Sequence, residues 1–159
     1  MGDEHHHSDH GHRETWKRKP TLRALYRDFY SRLIRSCPPG LILDIGAGTS
    51  HRIDLTGSLV RLDVRQGLGI DVVADAHALP FGANSFDGMI MIDVLHHLQF
   101  PVRFLRGAAE VLRPGGRISM MEPGVSPWSR HFYAWFHHEP VDMSADVFAI
   151  ERSQSSADP

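Results

Sequence analysis

The chain has 159 residues, 42% of them hydrophobic and 23% charged, with a formal net charge of −2. That is the size and make-up of one globular domain with its own core, and the total charge gives no sign of a polyanion partner. One cysteine, Cys37, excludes an internal disulfide and suits a reducing cytoplasm; no apolar run is long enough for a membrane helix, and the polar start is no secretory signal.

Residues 1–14 hold five histidines among polar neighbours, so a solvated, disordered His-rich tail is expected there, with no metal assigned. Helical spacing of Leu22, Leu25, Phe29 and Leu33 predicts a helix over residues 21–36. Pro38-Pro39-Gly40 ends it. A short apolar strand, Leu41–Ile45, follows and runs into Gly46-Ala47-Gly48. About nine residues, 49–57, then lead to a second strand at 58–64, too few for a full helical crossover. Further strands are predicted at 70–74, Phe86–Ile92 and 117–122. A helix is predicted over 101–112, with Val102, Leu105, Ala109 and Leu112 inward, started by Pro101 and stopped by Pro114-Gly115-Gly116. Apolar strands separated by crossovers indicate a parallel sheet covered on both faces, an α/β fold. The main domain is expected over residues 15–150, with a frayed end at 151–159.

Two features point to a ligand. Glycines after a buried strand let the backbone turn sharply and approach a bound molecule, and ligands of open parallel sheets bind beyond the carboxyl ends of the strands. Asp63 lies 19 residues after Asp44, near the end of the second strand, where a carboxylate can accept from a ribose diol. The third glycine of a dinucleotide fingerprint is replaced by His51, which argues against a nicotinamide or flavin dinucleotide.

Four segments in register carry a resemblance. They are Leu43 to Thr49; Val73-Ala74-Asp75-Ala76-His77-Ala78-Leu79-Pro80-Phe81 with Asn84-Ser85-Phe86-Asp87; Asp93-Val94-Leu95-His96-His97-Leu98; and Val111-Leu112-Arg113-Pro114-Gly115-Gly116. Together they resemble the small-molecule branch of the class I S-adenosylmethionine-dependent methyltransferases, over residues 41–122. Looser similarity around Trp16–Pro20 and Glu122–Met143 resembles a bacterial subgroup with a short first connector.

The resemblance implies a Rossmann-like, doubly wound parallel sheet of about five strands and S-adenosyl-L-methionine as cofactor. It implies that Gly46, Ala47 and Gly48 line the methionine and ribose, and that Asp44 orients that loop. By the same implication Asp63 holds the ribose hydroxyls, Asp75 and Ala76 meet the adenine, and Asp93 and Val94 border the transferable methyl. His96 and His97 fall where substrate contacts are expected, and either could act as a base for a hydroxyl nucleophile. A small-molecule methyl acceptor is expected, with neither nucleic acid nor membrane as partner.

Two departures stand out. Ser50 replaces the third glycine of the family's loop, and no pair of strands after residue 149 matches the family's C-terminal antiparallel hairpin. A truncated chain is therefore expected, with a cofactor-binding but catalytically incompetent module as the alternative to an active enzyme. Trp128, Phe132 and Trp135 have helical spacing and suit a core position or a lid, while His137, His138 and Glu139 resemble a metal cluster only in composition.

Overall fold

The computed structural model describes residues 19–48 and 58–124. The His-rich tail, the connector 49–57 and everything from residue 125 on, including the aromatic segment, the His137-His138-Glu139 cluster and the region of the expected hairpin, lie outside the described residues.

Helix α1 spans Pro20–Ser36, with Pro20 at its first position, where a missing N–H costs nothing. Cys37 closes it by donating its N–H back to the Ile34 carbonyl at 3.1 Å, and Pro38 and Pro39 prevent continuation. The buried stripe differs from the expected one. Leu25 is 46% exposed, whereas Tyr30 and Leu33 are buried, with Leu22, Tyr26 and Ile34 packed beside them. The inward line is thus 22, 26, 30, 33. Two tyrosines hold it because their rings pack while their hydroxyls reach the polar end of the sheet.

The sheet has strands β1 (Leu41–Ile45), β2 (Ser58–Asp63), β3 (Val72–Val73), β4 (Phe86–Ile92) and β5 (Leu112–Met121). Their order is β3-β2-β1-β4-β5 and every pairing is parallel, as expected of a doubly wound Rossmann-like sheet. β1 lies at the centre, and alternate residues along it serve opposite faces. Leu43 and Ile45 join Leu62, Phe86, Met89 and Met91 against α2 (Pro101–Val111). Ile42 joins Ile90, Tyr30, Leu33 and Cys37 under α1. By the same alternation Asp44 comes out on the α1 face, at the carboxyl end of the strand. Neither described helix is long and apolar enough to cross a membrane.

Three further expectations are corrected. α2 buries Phe104, Ala108 and Val111, while Leu105 and Ala109 face outward. The inward face is turned by about one residue because the large Phe104 ring takes the seat against the sheet. The third strand is regular over two residues only, yet single bonds extend its pairing on both sides. The Asp71 N–H reaches the Arg61 carbonyl at 2.9 Å, and the Ala74 N–H reaches the Asp63 carbonyl at 3.0 Å. The fifth strand begins at Leu112 rather than at 117. Its register jumps from Phe86 opposite Leu112 to Gly88 opposite Arg117, so Pro114-Gly115-Gly116 is a bulge inside the strand rather than a stop before it.

Asp87 holds the amino end of this sheet together. Its Oδ2 accepts from the Leu41 N–H at 2.8 Å and from the Arg113 guanidinium at 2.6 Å, and the arginine bond holds the carboxyl below its usual range. Nearby, Gly88 lets α1 close on β4, since an added Cβ would stand 2.7 Å from Cys37 Cβ and 2.8 Å from its Sγ. Gly88→Ala should therefore destabilise the fold by about 1–3 kcal/mol. A urea midpoint equal to that of the unaltered chain would show that α1 can shift without cost.

Candidate functional site

The strand order reverses between β1 and β4, since β2 and β3 are laid down on one side of β1 and β4 and β5 on the other. A crevice opens at such a switch, beyond the carboxyl ends of the strands. β1 enters it through Gly46 (φ 64°) and Gly48 (φ 66°), both in the left-handed region that favours glycine. Gly46 has a second reason to be glycine, because an added Cβ would lie 2.5 Å from Val94 Cγ2. The residue after β4 thus rests on the loop after β1. At Gly48 an added Cβ would meet nothing within 4 Å, so that side of the loop is open among the described residues.

β2 ties this loop down. The Ala47 N–H donates to the Leu62 carbonyl at 3.1 Å. Asp63, only 6% exposed, accepts from the Gly48 N–H through Oδ2 and from the Arg65 N–H through Oδ1, each at 2.9 Å. Each oxygen keeps a lone pair for a further donor.

Beneath the loop, Asp44 is 1% exposed and accepts the Tyr30 hydroxyl at 3.1 Å through Oδ2. Burial pushes its carboxyl up to about 7, and the nearby charge of Asp63 adds to this; Tyr30 and Arg61 pull the other way. The Tyr30 hydroxyl is itself driven far up, first by burial and then by Asp44. Tyr26, one helical turn earlier, is raised by burial and by the charge of Asp93. α1 therefore sets one tyrosine near each of two site aspartates.

After β3, Asp75 caps a 3-10 turn, Ala76–Ala78. Its Oδ1 accepts from the His77 N–H at 2.9 Å and pairs with His77 Nδ1 at 2.7 Å, and these bonds hold the carboxyl below its usual range. Oδ2 stays out of both bonds. His77 Nε2 accepts the Phe100 N–H at 3.2 Å, which ties this loop to the start of α2. Ala76 packs half-buried on the α2 side of the core.

After β4, Asp93 takes a left-handed conformation (φ 55°) and donates its N–H to the Met121 carbonyl at 2.8 Å. A second 3-10 turn, Leu95–His97, follows. The His96 and His97 rings lie against one another, centroids 4.0 Å apart. Glu122, just past β5, closes the turn from outside: Oε1 accepts the N–H groups of Val94 (3.1 Å) and Leu95 (2.8 Å), and Oε2 meets His96 Nδ1 at 2.6 Å. Burial alone would raise the Glu122 carboxyl, but these bonds together hold it low.

The structure therefore gathers Asp44, Gly46, Ala47, Gly48, Asp63, Asp75, Ala76, Asp93 and Val94 at one end of the sheet, with His96 and His97 beside them. Sequence reasoning missed Tyr30, His77 and Glu122. Tyr30 had a signal, its helical spacing with Leu22 and Tyr26. For Glu122 the only one was its place at the end of the last apolar strand.

A family described as "Methyltransferase domain" matches residues 41–120, half of the chain. Human "Probable tRNA methyltransferase 9B" is 34% identical over 109 residues, covering 60% of this chain and 24% of that protein. The malonyl-[acyl-carrier protein] O-methyltransferase of Methylococcus capsulatus is 31% identical over 137 residues, covering 73% and 49%. The chain thus spans half or less of the length of these curated relatives. Among solved structures, a Thermotoga maritima S-adenosylmethionine-dependent methyltransferase described as a possible histamine N-methyltransferase superposes with a TM-score of 0.60, at 16% identity, over 88% of this chain and 75% of that one; this likeness speaks to fold alone. On its family match and its sheet, the chain belongs to the class I S-adenosylmethionine-dependent methyltransferases, whose cofactor is S-adenosyl-L-methionine.

Proposed function

We propose that this protein transfers a methyl group from S-adenosyl-L-methionine to a small-molecule acceptor. The observation that carries the reading is the clamp of Gly48 on Asp63 beside the contact of Val94 with Gly46, which brings the exits of β1, β2 and β4 around one crevice.

The residues present fit the cofactor. Asp44 is buried at the end of β1 with the Asp63 carboxylate near it, so two acidic groups stand close together, and the cofactor carries its positive charge on a sulfonium and an amine. The lone pairs left on Asp63 suit a ribose diol, and Oδ2 of Asp75 suits the adenine amine. Bound there, the cofactor supplies an electrophilic methyl.

In this reading Gly46, Ala47 and Gly48 offer backbone to the methionine and ribose, while Asp44 holds their loop and faces the positive charge. Ala76 offers its backbone amide to the adenine ring. Asp93 and Val94 border the reacting end, where alignment and exclusion of water do most of the work. His96 and His97 stand where an acceptor would enter and are the candidate catalytic residues. The free, buried Cys37 suits a reducing cytoplasm.

Calorimetry with S-adenosyl-L-methionine and its demethylated product tests the site, and radiolabelled methyl transfer to a panel of small molecules and to tRNA tests the acceptor. Binding with transfer to a small molecule is expected. Transfer to tRNA alone would replace the acceptor class, binding without any transfer would leave an incompetent module, and no binding would end the reading.

A further inference from the structure

We propose that Glu122 is a positioning residue that makes His96 a proton acceptor, and that the acceptor's reacting atom is a hydroxyl oxygen. This rests on the methyl-transfer reading above.

Parallel pairing sets Ile92 beside Met121, and the Asp93 N–H bonds the Met121 carbonyl. Glu122 is thereby delivered opposite the point where the chain leaves β4. Its two oxygens do different things. Oε1 takes the two leading N–H groups of the Leu95–His97 turn, a structural task that one oxygen completes. Oε2 is left for His96 Nδ1, at 2.6 Å. A carboxylate can only accept, and the bonds it receives keep Glu122 ionised. Nδ1 of the neutral imidazole must therefore carry the hydrogen, which puts the ring's lone pair on Nε2.

Nε2 bonds no described residue, and the His96 side chain is 39% exposed. The His97 ring lies beside it, centroids 4.0 Å apart and planes tilted by 43°, which limits how it can turn. Val94, two residues earlier, touches Gly46. The lone pair is thus fixed on Nε2 of a part-exposed ring, two residues after the Val94 that rests on the glycine loop.

A hydroxyl acceptor uses such a nitrogen. Its O–H bond breaks and the proton goes to Nε2, while the oxygen's electron pair forms the new bond to the methyl carbon as the methyl–sulfur bond breaks, that pair staying on the sulfur of the demethylated thioether product. The imidazolium so formed is balanced by the Glu122 carboxylate. A neutral amine already has its lone pair free and gains nothing from a base before attack.

Glu122→Gln separates the two tasks. The amide carbonyl still accepts from Val94 and Leu95, but the amide nitrogen now donates to Nδ1, so the hydrogen moves to Nε2 and that nitrogen can no longer accept a proton. Nitrogen-15 NMR of the full chain, without cofactor, should find neutral His96 protonated at Nδ1 in the unaltered protein and at Nε2 in Glu122→Gln. With S-adenosyl-L-methionine and catechol, kcat should fall by about 10²–10⁴-fold, with the KM for cofactor within about threefold. The loss should shrink at high pH, where catechol ionises unaided, and on 4-nitrophenol, which ionises more readily. His96→Asn keeps the caps of Glu122 and should show the same loss.

A hydrogen on Nε2 in the unaltered chain, an unchanged kcat in either variant, a loss independent of pH, or transfer to amines only would each overturn the proposal. Failure of the unaltered chain to bind cofactor would overturn the methyl-transfer reading instead, and the NMR result would stand apart from it.

Discussion

Replacing Asp63 with alanine is expected to weaken binding of S-adenosyl-L-methionine by at least about 100-fold, equivalent to about 2.7 kcal/mol. Two losses combine. In the proposed site the carboxylate accepts from the ribose hydroxyls, and charge-assisted bonds of this kind contribute about 1.5–3 kcal/mol each. The same carboxylate also holds the glycine loop, through the N–H groups of Gly48 and Arg65 at 2.9 Å. Alanine leaves both donors without it, so the fold should also lose about 2–4 kcal/mol. Asp63→Asn separates the effects. Its one carbonyl can keep the Gly48 bond but not both, so stability should recover in part while affinity stays low. Calorimetry and urea unfolding on both variants provide the check, and a dissociation constant within threefold of the unaltered chain would remove the ribose role.

Asp44→Asn should do the opposite to the fold, stabilising the ligand-free protein at pH 8 by about 2–4 kcal/mol. The sign follows from the raised carboxyl. In the folded state Asp44 holds its proton to about 7, whereas its ordinary value is 3.8. Between those values the folded chain binds a proton that the unfolded chain has released, so stability falls as pH rises across the window. Above about 7 the full penalty of a buried charge is present. Asparagine has no charge to bury and still accepts the Tyr30 hydroxyl, so the variant should lose the slope between pH 4 and 7. Cofactor affinity should fall in the same variant, because the cationic end of the ligand loses its buried partner. Urea midpoints at pH 5 and pH 8 decide the matter; equal midpoints for both proteins at pH 8 would show that Asp44 is not ionised there.

These expectations concern two aspartates that the sequence singles out, Asp63 by its spacing and Asp44 through the family resemblance, yet their environments could not be read there. Asp63 is the last residue of a short apolar strand, and an aspartate at a strand end commonly faces water. That it is buried and clamps Gly48 depends on the parallel register of Leu62 with Ile45, which brings two loops together from 15 residues apart. The Asp44 environment depends on Tyr30 in the same way. Helical spacing allowed a leucine-phenylalanine face through Leu25 and Phe29 or a tyrosine face through Tyr26 and Tyr30. The choice was made by the carboxylate waiting at the end of β1.

The sequence by itself determined the elements and their kind. Pro20, Pro38-Pro39 and Pro101 punctuate the helices, the apolar runs 41–43 and 89–92 demand burial on both faces, and Gly46 with Gly48 announces a turn too tight for side chains. These signals are local, and backbone sterics and hydrophobic periodicity act within a few residues. Only the tertiary structure decided which helix face is inward, where β5 enters its register, and which partner each polar end finds. Glu122 and His96 are 26 residues apart in the chain, and nothing in either neighbourhood encodes the other. Their meeting is settled by the pairing of β4 with β5, a long-range choice that the whole core makes at once.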